Sequence, residues 1–378
     1  MPLYYDDDQA MLRDSASAFM KTEAPTTHFR EFRDRNCSDG FSHDLWKQFA
    51  EMGFSGMLIP EDQGGLGMGH VEAGIVLEEI GRNLSPSPFL TTSVIGVEAL
   101  KAADAATRGK WLPGIIAGET VIGIAVDEGA KHRPEQIAMT AERSGNGFRL
   151  TGKKQFVVQG AAADLLIVAA RTAGAPGETD GLTLFAVDKD AAHLSMEAAR
   201  LVDSSMGAHV NFDGVEVDAD AVIGDVDNGW AVLTRMLDAG RIGAASEAIG
   251  VGAAAMDMTV DYLKQRKQFG RLIGEFQALQ HRAAHLYAEM EVARAAVLKA
   301  QQLLDAGDPK AELMIAVAKA KAGQAVSLAV KEGVQMHGGI GMTDEYDIGL
   351  YMKRDRALAE FLGDANFHAD RVARLQGY

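Results

Sequence analysis

Two stretches in the C-terminal third carry side chains suited to gripping a charged ligand: Arg266-Lys267-Gln268-Phe269-Gly270 and Gln335-Met336-His337-Gly338-Gly339-Ile340-Gly341. Arg266 and Phe269 stand three apart, so a helix running through them would set a guanidinium and an aromatic ring on one face, just before a terminating glycine. The guanidinium could meet a pyrophosphate and the ring could pack on a ring system. Without a ligand, the same residues read as a charged helix end, where the helix dipole favours a cation. In the second stretch Gly338, Gly339 and Gly341 let backbone amides approach an adenine or ribityl chain, while Gln335 offers both a donor and an acceptor. A plain glycine C-cap is the competing reading, with His337 a helix-end histidine. Together the stretches suit a flat, polyanionic cofactor. Lys264, Arg266, Lys267 and Arg271 form the densest local group of cations. Further upstream, Asp238 and Arg241 are again three apart, and a surface ion pair is the ligand-free reading.

The elements that must position these residues follow a helix, strand, helix order. Amphipathic periodicity runs from Asp8 to about Ala117, with a turn-rich loop at Pro60-Glu61-Asp62-Gln63-Gly64-Gly65-Leu66-Gly67. Near Glu119 the period shortens. Val121–Val126, Gly147–Gly152, Gln155–Val158, Leu165–Val168, Leu182–Val187 and Val210–Phe212 read as short strands of a small antiparallel sheet or barrel. From Asn228 the helical period returns, broken at Gly307-Asp308-Pro309 and at the two glycine motifs. The expected fold is mainly α with a β middle domain: an N-terminal helical domain (1–118), a middle β-domain (119–226) and a C-terminal helical bundle (227–378). Gly243-Ala244-Ala245 through Gly252-Ala253-Ala254-Ala255 predicts close helix packing.

Composition narrows the function classes. The chain has 378 residues, and 37 Lys+Arg against 53 Asp+Glu give a formal charge of −16. With no five-residue basic run, that balance argues against a nucleic-acid binder. Cys37 is the one cysteine, so no intrachain disulfide can form. No His/Cys/Asp cluster has metal-ligand spacing. No secretory signal and no apolar run of membrane-spanning length are read, so the expected location is the cytoplasm.

The Glu61–Gly67 loop, Lys153-Lys154-Gln155-Phe156, Tyr262–Gly270 followed by Phe276-Gln277, Gly338-Gly339 and Tyr351-Met352-Lys353-Arg354-Asp355 together resemble the acyl-CoA dehydrogenase family over nearly the whole chain. The resemblance implies a four-helix bundle that dimerises, FAD bound between subunits, an acyl-CoA substrate and electron-transfer flavoprotein as acceptor. It implies oligomers, homomeric or heteromeric, as dimers of dimers. By the same resemblance Arg266, Gln268, Phe269, Gln277, Gln335, Met336, Gly338 and Gly339 would contact FAD, with Arg266, Gln268 and Gln335 reaching across the dimer to a neighbour's flavin. Phe156, Val157 and Val158 would contact it within one chain, and Asp238 and Arg241 would lie at the thioester arm. The family's reaction, α,β-dehydrogenation, needs a carboxylate to remove the α-proton.

Here the two places where the family carries that glutamate hold Gly363 and Gly240. The flavin-facing threonine position holds Val158, and the Thr-Glu pair is Asp127-Glu128 with Lys131-His132-Arg133-Pro134 following. Contacts made in trans are kept and those made in cis are eroded. That pattern is similar to heteromeric branches of the family, nearest the pimeloyl-CoA dehydrogenase small-subunit-like branch, and implies a base-deficient subunit. Two alternatives stand beside it. One is a self-sufficient enzyme using Asp364 as a displaced base, against which Asp364 also reads as a helix cap. The other is a non-catalytic assembly subunit.

Overall fold

The computed structural model describes residues 2–378. Among the described residues six α-helices precede the sheet: α1 (Asp7–Glu23), α2 (Thr26–Asp34), α3 (His43–Glu51), α4 (His70–Asn83), α5 (Val97–Leu100) and α6 (Ala105–Ile116). Strands β1 (Ile122–Ala125), β2 (Thr140–Ser144), β3 (Gly147–Val158), β4 (Leu165–Arg171), β5 (Leu182–Asp188), β6 (Leu194–Arg200), β7 (Met206–Val217) and β8 (Val222–Ile223) follow. Then come α7 (Trp230–Gln265), a hairpin of β9 (Lys267–Gln268) and β10 (Arg271–Leu272), and α8 (Gln277–Asp305), α9 (Ala311–His337), α10 (Ile348–Glu360) and α11 (Ala365–Leu375). The chain divides into two compact units. One comprises Phe32–Gly69 and Pro86–Gly240; the other comprises the N-terminal segment to Glu31, His70–Ser85 and Arg241–Tyr378.

In the first unit the eight-stranded sheet runs β6-β7-β3-β2-β4-β5-β8, with β1 beside β4. It is antiparallel except that β1, and one residue pair of β2, run parallel to β4. Its core gathers Phe148, Leu150, Leu166, Val168, Phe185, Val210 and Phe212, all buried. A π-helical stretch, Leu90–Gly96, packs wholly buried in the same unit, and Thr92 Oγ1 accepts from Ile122 N at 2.9 Å. Arg171 is buried among carbonyls: its guanidinium donates to Ile137 O, Ala173 O, Asp180 O and Glu178 O. It thereby fastens the 173–181 loop to β4.

The second unit is a helical bundle centred on α9. The small-residue run acts as its sequence suggests, because a Cβ at Gly250 would stand 1.9 Å from Glu78 O and one at Gly81 would stand 2.0 Å from Glu247 O. Only hydrogen fits where α4 and α7 cross. Contrary to the sequence reading, Ala311–Met342 is long and apolar enough to cross a membrane by length and composition. The bundle explains that composition, since α9 packs against α8, α10 and α11 and half of its most apolar window is buried. Even Lys319 is buried there, its Nζ donating to Leu358 O at 2.7 Å.

Candidate functional site

Helix α7 ends at Gln265, one residue before the cationic motif, and Arg266 N closes its last turn on Tyr262 O. The expected helical face through Arg266 and Phe269 is therefore absent. Lys267-Gln268 turns back on Arg271-Leu272 as a hairpin, with Phe269 at φ 56° and Gly270 at φ 78°. Two consecutive positive φ values are what a two-residue type I′ turn requires. The strands are only two residues each, and Phe-Gly in place of Asn-Gly gives little turn signal. The turn lifts Phe269 to 91% exposure. Its ring meets Phe276 edge-on at 6.2 Å, and Arg271 lies 4.1 Å over the Phe276 ring.

The hairpin shares its base with the second motif. Met336 is buried in a small cluster with Leu263 and Ile273, against which Tyr262, Phe276 and Leu279 pack. Met336 thereby joins the bases of the two motifs. Beyond it, α9 ends at Gly338 with φ 65°, as the sequence predicts, and a Cβ at Gly338 or Gly339 would meet nothing within 4 Å. Gln335 and Gln277, at the start of α8, are both exposed. His337 is buried with its ring 4.5 Å from that of Tyr262 and 4.7 Å from that of Tyr346. Its Nδ1 pairs with Gly333 O at 2.6 Å, and burial holds its pKa below the usual imidazole range.

Gly363, where the resemblance would lead one to expect the base, lies between α10 and α11. Leu362 and Gly363 take consecutive positive φ values, 59° and 105°. A Cβ at Gly363 would stand 2.3 Å from Phe367 Cδ1 and 3.0 Å from His368 Nε2. Asp364 is the N-cap of α11, its Oδ1 accepting from Phe367 N at 2.8 Å. Gly240 is buried within α7. Asp238 and Arg241 are not the surface pair of the ligand-free reading, for both are buried, at 5% and 3% exposure. Arg241 Nε donates to Leu362 O at 3.4 Å, and its guanidinium lies 5.8 Å from the Phe367 ring centre. His368 is wholly buried, its Nε2 against Leu362 O at 3.1 Å. Burial, then the charges of Arg241, Lys319 and Arg371, push its pKa down to about 2, so the ring is neutral.

On the sheet unit, β3 carries a bulge opposite β7 between Lys154 and Val157. There Phe156 has φ 53° and turns its ring outward to 49% exposure, 6.0 Å from His209. Val157 faces the opposite way, its side chain in the sheet core at 0% exposure. Val158 is half-buried. Glu128 accepts from Ala138 N, Met139 N and the buried Lys154 Nζ; Asp127 pairs with His132 Nδ1 at 2.9 Å.

A dinucleotide needs cations for its pyrophosphate and open backbone for its rings. The bundle supplies both: Arg266, Lys267 and Arg271 are exposed, and the space beside Gly338 and Gly339 is clear. These residues fit FAD. The sheet residues offer less, because Val158 has no hydroxyl and Glu128 is already tied down. Among the described residues no cluster of three or more metal-type side chains assembles.

Along the chain, helices, then a sheet, then a helical bundle follow one another, and the bundle carries a cationic hairpin beside a glycine-ended helix. The chain belongs to the acyl-CoA dehydrogenase family: the profile of its N-terminal domain matches residues 6–119, that of its middle domain 126–215 and that of its C-terminal domain 227–376. It is thus an FAD-dependent oxidoreductase of that family. The caffeyl-CoA reductase-Etf complex subunit CarC of Acetobacterium woodii is 30% identical over 92% of each chain. A variant of the Tcur3481-Tcur3483 steroid ACAD superposes with a TM-score of 0.88 at 29% identity over 98% of each chain. The ChsE4-ChsE5 complex from Mycobacterium tuberculosis gives a TM-score of 0.90 at 25% identity over all of both chains.

Proposed function

We propose that this chain is a base-deficient subunit of a heteromeric acyl-CoA dehydrogenase, completing a flavin site on a partner chain that owns the carboxylate. The observation that carries this reading is the turn at Gly363. A positive φ, with Phe367 and His368 where a side chain would begin, leaves no room for a glutamate. The next residue's carboxylate, Asp364, caps α11. The neutral His368 is no substitute, since a base that protonates only near pH 2 takes no α-proton at neutral pH.

FAD, when bound, supplies the acceptor for the β-hydride in dehydrogenation of an acyl-CoA thioester. This chain's own residues hold and shield it. Arg266, Lys267 and Arg271 offer charge-assisted hydrogen bonds to the pyrophosphate. Gln268 and Gln335 offer amide contacts, Phe269 covers a ring face, and Gly338 and Gly339 allow backbone approach. Two of the similar structures bear paired names, and CarC is a subunit of an Etf complex; both favour a multi-chain assembly that passes electrons to an electron-transfer flavoprotein. The pimeloyl-CoA dehydrogenase small-subunit branch is the nearest kind by its eroded cis contacts.

The test is flavin reduction by stopped flow. The purified chain with FAD should show no rapid bleaching with butyryl-CoA or octanoyl-CoA, and co-expression with a partner dehydrogenase chain should restore it. Rapid bleaching by the chain alone, abolished by Asp364→Asn, would establish the self-sufficient alternative instead. Purification from every assembly without flavin absorbance would leave the assembly-subunit reading.

A further inference from the structure

The N-terminal segment, the start of α4 and the end of α8 enclose a cavity of about 180 Å³ within the bundle unit. One water needs roughly 10–15 Å³ of such space, so a small organic molecule has room there. Three carboxylates line the cavity, Asp6, Glu72 and Asp305, and among the described residues no lysine or arginine does. Asp6 caps α1 by accepting from Gln9 N at 2.9 Å, and Glu72 Oε1 accepts from Gln9 Nε2 at 2.8 Å. Asp305 accepts from His70 N and Val71 N at the start of α4. These donors are all neutral amides, so the bonds fix the carboxylates in place without adding positive charge. Gln302 brings an unmet need to the same wall. It is only 7% exposed, and its Nε2 donates to Pro2 O at 2.7 Å, while Oε1 of the same amide has no hydrogen-bond partner. A buried carbonyl oxygen left without a donor is costly. The cavity calls for a donor that carries positive charge.

We propose that this cavity binds a small organic ammonium ion. A primary ammonium has three N–H donors and a full charge, which suits Gln302 Oε1 and the carboxylates around it. A bare divalent metal suits the place less well, because the described carboxylates do not gather into a cluster of three that could hold one. An ammonium carried on a short methylene chain reaches groups that stand apart. Pro2 and Val71 give that chain apolar contact, and the Tyr4 ring, 72% exposed, offers a face to the cation. The site is separate from the cationic hairpin: Gln302 and Gln277 stand near opposite ends of α8, on the order of 35 Å apart by the rise of the helix. Bound there, the ion ties the N-terminal segment to α4 and α8. The proposal goes beyond the base-deficient reading and does not depend on it.

The experiment is titration calorimetry of butane-1,4-diamine into the purified chain with FAD present, at fixed ionic strength. One saturable site per chain is expected, with a Kd below about 1 mM that rises with added salt. Tetramethylammonium, which has the charge but no N–H, and Mg²⁺ should each bind about tenfold more weakly or worse. Gln302→Met removes the unpartnered carbonyl and should weaken the diamine by about tenfold. Because that variant also loses the bond to Pro2 O, Asp6→Asn serves beside it: asparagine is an equally good helix cap, so the fold is kept while one charge goes. It should weaken the diamine by about threefold or more. The absence of saturable heat would overturn the proposal, as would equal binding of tetramethylammonium or tighter binding of Mg²⁺. Unchanged diamine affinity in either folded variant would place the amine elsewhere and overturn it too.

Discussion

Gly363→Ala isolates the geometry on which the functional reading depends. Placing an L-residue at φ 105° costs about 1–3 kcal/mol in backbone strain. The new methyl would begin 2.3 Å from Phe367 Cδ1 and 3.0 Å from His368 Nε2, an overpacking worth about 1–3 kcal/mol more. Phe367 is only half-buried and can turn partly aside, which places the total in the lower range, about 2–4 kcal/mol. Thermal unfolding followed by circular dichroism should show a loss of roughly 3–5 °C. Gly349→Ala is the matched control: it lies in the first turn of α10, where a Cβ meets nothing within 4 Å, and should be neutral or raise the midpoint slightly. If both variants melt within a degree of the parent, the turn is not closed as described and the argument against a side chain at 363 collapses. Gly363→Glu should be destabilised further and show no gain in flavin reduction by acyl-CoA.

Arg266→Ala should weaken FAD binding by about 10- to 100-fold, measured by quenching of flavin fluorescence, while the melting point stays within about a degree because the side chain is exposed. Arg171→Met leaves the carbonyls of Ile137, Asp180 and Glu178 without their donor and should cost about 2–4 kcal/mol, with the 173–181 loop becoming the first site of limited proteolysis. Burial raises Asp355 to about 6, against the opposing effects of the Ser327 hydroxyl and the Lys319 charge. Between its ordinary value and 6 the folded chain binds more protons than the unfolded one, so this group's contribution to stability is full at low pH and is lost as pH rises through 6. Asp355→Asn should remove that fall from the pH profile of the melting point; an unchanged slope between pH 4 and 6 would refute the assignment.

Much of the architecture was legible because periodicity reports burial. The switch from helical to alternating pattern near Glu119 marks the sheet, and the Gly/Ala run on α7 marks a close helix crossing. Strand β6 was missed because four of its seven residues are exposed and Ala198 and Ala199 carry weak strand preference. The β9–β10 hairpin was missed because its turn uses phenylalanine at a position where asparagine is expected. In the site, the absence of a carboxylate at 363 could be read along the chain through the family resemblance. That Phe367, His368 and Arg241 fill the space could not, for it depends on α7, α10 and α11 meeting. The inward turn of Val157 is likewise a matter of one bulge residue, which reverses the facing of everything after it.

Phe156 and Phe269 share an uncommon combination: both are bulky, both take positive φ, and both are substantially exposed. Each would be better served, in the free chain, by glycine or asparagine, which adopt that backbone conformation readily and expose no ring. A laboratory selection for heat resistance would therefore replace these two positions early and report success. The improved protein would have traded away the rings that the turns exist to present, so libraries made to harden this scaffold should hold both codons fixed.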